Sequence, residues 1–100
     1  LLTVFVLVSF KSITEKHYGG SANVSVVVYD AIYLPEGTKK GKKSNEFKLD
    51  STVNCSYDDI ASAKSALKND LENQMLSKQG TGKIAEFSTT INYDINSCEN

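Results

Sequence analysis

YDDIASAKSALKNDLENQMLSK, residues 57–78, places Ile60, Ala63, Leu67, Leu71 and Met75 three or four positions apart. That spacing draws one narrow apolar stripe along a helix, and a stripe of that kind needs a single apolar surface to lie on. The start reads as Ser56 acting as N-cap, with Asp59 three residues later closing a capping box. Asp58 and Asp59 stand where the helix dipole favours negative charge. Lys78 in the last turn and Gly80 beyond it mark the stop. The flanking segments read as strands, so the surface under the helix is expected to be a sheet.

Working outward, four strands are expected. Strand A (3–13) and strand B (23–34) carry apolar residues on both faces, as central strands do. In B, Val24, Val26, Val28, Ile32 and Leu34 share one face, while Val27, Tyr29, Ala31 and Tyr33 share the other. Strand C (45–55) alternates Phe47, Leu49, Ser51, Val53 and Cys55 with polar residues. Strand D (83–95) turns Ala85, Phe87, Thr89, Ile91, Tyr93 and Ile95 inward. Residues 17–21, with Gly19 and Gly20, read as a turn. Pro35, Glu36 and Gly37 end B, and residues 39–43 read as a lysine-rich loop. The result is one α+β domain over residues 1–100, ordered β-β-β-α-β. It is a four-stranded mixed sheet, in spatial order C-B-A-D, with one long helix on one face and D parallel to A.

The first ten residues, LLTVFVLVSF, are about half the roughly 20 that a membrane helix needs. They read as a buried strand rather than a targeting remnant, lacking a basic segment before them and a small-residue cleavage site after them. The chain starts without methionine, so residues upstream are expected.

Composition excludes little. The formal net charge is -1 at pH 7, so no global field steers the chain to nucleic acid or membrane. All basic side chains are lysines; arginine, the usual reader of guanine and bidentate phosphate clamp, is missing. No nucleotide loop, hydrolase elbow or zinc-ligand spacing occurs, and no cofactor is implied. Gly80-Thr81-Gly82-Lys83 precedes a strand instead of opening a helix, so it is not a phosphate loop.

Strand directions sort the loops to two ends. His17, Cys55, Asp58, Asp59 and Cys98 share one. There a thiol nucleophile beside a histidine, or a metal site of His17, Cys55 and Cys98, is the second alternative reading. Order C-B-A-D puts the cysteines on opposite edges, beyond bridging distance, so they are expected to be unlinked. Localisation is open on this reading, with the cytoplasm favoured unless the cysteines bridge. Lys39, Lys40, Lys42, Lys43, Lys78 and Lys83 share the other end, which makes polyanion or nucleic-acid-backbone binding the first alternative. The leading reading is a non-catalytic protein-interaction or assembly module, with another protein or a second copy as partner. Its surface is the sheet face away from the helix, where Phe5, Leu7, Val27, Tyr29 and Tyr33 are expected to meet.

Overall fold

Pro35 and Glu36 make a two-residue turn, with Leu34 and Gly37 paired across it. The turn joins two very long strands, β1 (Lys16–Leu34) and β2 (Gly37–Tyr57). The structure, a computed structural model, describes residues 16–99. Helix α1 (Ile60–Gln79) follows, then β3 (Lys83–Phe87) and β4 (Asn92–Glu99). β1 pairs with β2 along one edge and with both β3 and β4 along the other, and all these pairings are antiparallel. The architecture is α+β: one helix packed on a four-stranded antiparallel sheet.

The spatial order C-B-A-D is therefore corrected. Both edges of β1 are filled by C on one side and D on the other, which leaves no room for A between B and D. D runs opposite to B, so its backbone pairs with B directly. Strand A, with Phe5 and Leu7, lies outside the described residues, as does the expected parallel pairing of D with A. D is also not one continuous strand. Four residues, 88–91, stand opposite only two of β1, Val24 and Ser25. At that join the Ser88 amide donates to the Ser25 carbonyl at 2.9 Å, and the Ser25 amide donates to the Thr89 hydroxyl at 3.1 Å. These two bonds pair the half-buried Ser25 backbone across the break.

Two more corrections concern segments read as loops. Residues 17–21 and 39–43 are strand, because the hairpin continues past both ends of its apolar core. Lysines and glycines suggested loops, but a strand with solvent around it accommodates both. β2 bulges in this region. Ser44 is extra between the pairs Val28–Asn45 and Tyr29–Lys43, and its hydroxyl donates to the Val28 carbonyl at 3.3 Å.

Helix α1 begins three residues later than the periodicity suggested. Asp59 itself is the N-cap, its Oδ1 accepting from the Ser62 amide at 2.7 Å. An aspartate caps as well as a serine, and β2 runs on through Ser56 as strand, so the later candidate takes the role. The Ser62 amide holds the Asp59 carboxyl below the ordinary aspartate range. Gly80 ends the helix with φ 83°, a conformation that glycine adopts without strain.

The stripe packs from Ala63 onward, whereas Ile60, in the first turn, is 52% exposed. Leu67 and Leu71 are fully buried against Ala22, Val24, Val26 and Val28 of β1 and Leu49 of β2, and Ala63 is fully buried as well. Phe47, Val53, Met75, Ala85, Phe87, Ile91, Tyr93 and Ile95 border this core. Each buried leucine or valine contributes about 1.5–3 kcal/mol in removed apolar surface. One polar tether joins α1 to β2. The Ser51 hydroxyl donates to Asp70 Oδ2 at 2.6 Å, and Gln74 Nε2 donates to the same oxygen at 2.7 Å and to the Asp50 carbonyl at 2.9 Å.

The helix covers only part of the hairpin. β3 pairs with Val26 through Asp30, and past that point Ala31 donates to the Gly82 carbonyl at 3.0 Å. Residues 32–34 and 37–39 then form a two-stranded arm. Ile32 and Leu34 keep the face assigned to them but pass beyond the helix, so they are exposed.

Candidate functional site

At the cysteine end, Cys55 and Cys98 are joined in a disulfide, with Cα atoms 6.0 Å apart. This overturns the expectation that they stay unlinked. The cysteines do belong to strands flanking β1 on opposite sides, and two strand spacings in a flat sheet come to about 9.6 Å. The sheet is not flat here. Residues 54–56 bulge opposite Gly19, which is buried. A Cβ at Gly19 would stand 2.6 Å from the Asn54 carbonyl and 2.7 Å from the Cys55 amide nitrogen. At Gly20 a Cβ would collide with the backbone of Asp94. Two glycines let β2 and β4 close over the middle strand until the sulfurs meet. The residues read as a turn are instead a pinch in the sheet.

His17 pairs in register with Cys98, so the structure does bring His17, Cys55 and Cys98 together. With each sulfur bonded to the other, the pair offers neither a thiolate nucleophile nor a thiolate ligand in this state. No three metal donors cluster among the described residues. Asp59 serves the helix start as its N-cap, and Asp58 is exposed just before it.

The lysine end is not a bare cationic patch. Lys40 Nζ donates to Glu86 Oε1 at 2.8 Å, Lys43 pairs with Glu46, and Lys83 Nζ lies 2.5 Å from Asp30 Oδ1. The hydrogen bond to Glu86 raises the Lys40 pKa, and that to Glu46 raises the Lys43 pKa. Lys78 lies over the Phe47 ring at 5.8 Å. Lys39 and Lys42 are exposed, with no carboxylate partner among the described residues. Three of the six expected polyanion ligands are thus already matched by acids.

On the open face, Val27 stands between Glu46 and Glu86, and Tyr29 stands between Lys43 and Ile84. Lys40 Nζ sits 5.0 Å from the Tyr29 ring centroid, a cation–π contact. Val27 is only 5% exposed and adds little surface to any contact. Tyr29 is half-buried, whereas Tyr33, on the arm, is 72% exposed. The apolar surface therefore shifts from the middle of the sheet toward the arm, where Ile32, Tyr33 and Leu34 are all exposed.

A groove of about 390 Å³ lies between α1 and the start of β4, lined by Ala61, Lys64, Ser65, Lys68, Thr90, Ile91 and Tyr93. Lys64 Nζ is 5.0 Å from the Tyr93 ring centroid. Burial, and then the nearby Glu72, raise the Tyr93 pKa. Sequence reasoning passed this groove over. Its one signal was Lys64 and Lys68 at i and i+4, which share a helix face.

Comparison with protein-family models, with curated proteins and with solved structures found no match to this chain. No helix among the described residues is long and apolar enough to cross a membrane.

Proposed function

We propose that this chain is a non-catalytic protein-interaction or assembly module whose contact surface is the apolar side of the β1–β2 hairpin, centred on Tyr29 and Tyr33. The observation that carries this reading is the arm. It extends a two-stranded ribbon beyond the helix-backed sheet and exposes Tyr33 on one face and Ile32 and Leu34 on the other. A lone ribbon has no core of its own and is marginally stable in water. A docked partner supplies the missing side. Tyrosine suits the role, since its ring buries a large area and its hydroxyl stays wet. The Cys55–Cys98 bridge supports work in an oxidising compartment, where such bonds persist. The simplest partner is another copy.

Sedimentation velocity across a concentration series tests the reading. Wild type is expected to gain mass with concentration, and Tyr33→Glu to stay monomeric with an unchanged circular dichroism spectrum. A wild type that is monomeric up to millimolar concentration removes self-association, and an assembled Tyr33→Glu moves the contact away from the arm.

A further inference from the structure

We infer that the tip of the arm docks into the α1–β4 groove of a second copy, giving head-to-tail assembly. This rests on the assembly reading above and names its two surfaces. The tip offers Tyr33, Leu34 and the carboxylate of Glu36, all exposed. Glu36 has no cationic partner among the described residues. The groove offers the complement: apolar walls from Ala61, Ile91 and Tyr93, with the ammonium groups of Lys64 and Lys68 beside them. Neither lysine pairs with a carboxylate among the described residues, which sets this groove apart from the lysine end of the sheet. One acid and two lysines placed at the borders of apolar surfaces give the contact a fixed sense of attraction.

Reach makes the contact intermolecular. Tyr93 of the groove pairs with Ala22, and Leu34 stands twelve residues further along the same strand. At strand rise that is about 40 Å of β1, so a tip cannot return to its own groove. Tip and groove are different surfaces. Their contact is heterologous, leaving a free groove at one end and a free tip at the other, and it propagates unless the rotation closes a ring.

Charge reversal tests this. Glu36→Lys alone and Lys64→Glu with Lys68→Glu alone should each weaken association at least tenfold by sedimentation, since each sets like charges against each other. Circular dichroism verifies that both variants keep the fold. Mixed in equal amounts, the two should assemble again, because each reversed surface meets its opposite on the other chain. A wild type that assembles while both variants assemble equally well overturns the head-to-tail contact and leaves the assembly reading standing. So does a mixture that stays monomeric. A wild type monomeric at millimolar concentration overturns the inference and self-association together.

Discussion

The two halves of the β1–β2 hairpin are built from the same kind of strand and live under different physics. The half from Lys16 to Asp30 has partners on both edges and a helix beneath it, and its even-numbered valines are buried. The half beyond Asp30 has one partner strand, and its even-numbered residues, Ile32 and Leu34, meet solvent. One alternation pattern therefore produces core in one place and exposed apolar surface in the other. Burial is conferred by what lies alongside a strand, not by the strand's own sequence.

The largest expected effect falls on the covalent tie of the body. Replacing Cys55→Ser with Cys98→Ser opens a loop of 43 residues. On loop-entropy grounds that costs about 4 kcal/mol, read as a lower urea midpoint. Leu67→Ala should cost about 3 kcal/mol, because a fully buried leucine leaves a cavity behind. Gly19→Ala should cost about 2 kcal/mol through overpacking against Asn54 and Cys55. A Gly19→Ala protein as stable as wild type would refute the pinch.

A weaker effect belongs to Asp70. Hydrogen bonds from Ser51 and then Gln74 lower its pKa below the ordinary aspartate value. A carboxylate with a depressed folded-state pKa stabilises above its unfolded pKa, and that contribution is lost as pH falls through the folded value. Asp70→Asn should therefore be less stable than wild type at pH 7, with the gap closing below about pH 4, where an unfolded aspartate takes up its proton. The urea midpoint at pH 7 and pH 3 checks this; a gap that does not close would place the loss elsewhere. The smallest effect contrasts most sharply with these. Tyr33→Ser on the arm should change stability by no more than about 0.5 kcal/mol while weakening assembly. If it instead unfolds the chain, the arm is part of the body and the division fails.

Much of this was readable in advance. Ala63, Leu67 and Leu71 of the stripe, and Phe47, Leu49, Ser51, Val53, Ala85, Phe87, Ile91, Tyr93 and Ile95 of the inward sets, follow from spacing alone, while Ile60, Cys55 and Thr89, assigned to the same faces, lie at element ends or the strand break and are exposed. Periodicity is a local property, and it reported local facts. Neighbour identity is not local. Apolar character on both faces of B announced a central strand but could not say which strand lay beside it. The bridge was missed because the distance argument assumed a flat sheet, while Gly19 and Gly20 mark where flatness ends. Of the open-face residues, Tyr33 is exposed, Tyr29 is half-buried, and Val27 is buried although its position faces away from the helix.

The bridge also decides what a cut chain would do. The turn at Gly80 and Thr81 is exposed, lies between the two cysteines, and joins the helix to the strands that complete the sheet. A protease that nicks it divides the backbone without dividing the molecule. The two pieces remain one covalent body, held by sulfur across β1, and separate only when a reductant is added as well. A cut at that turn thus slackens the molecule without costing it a fragment.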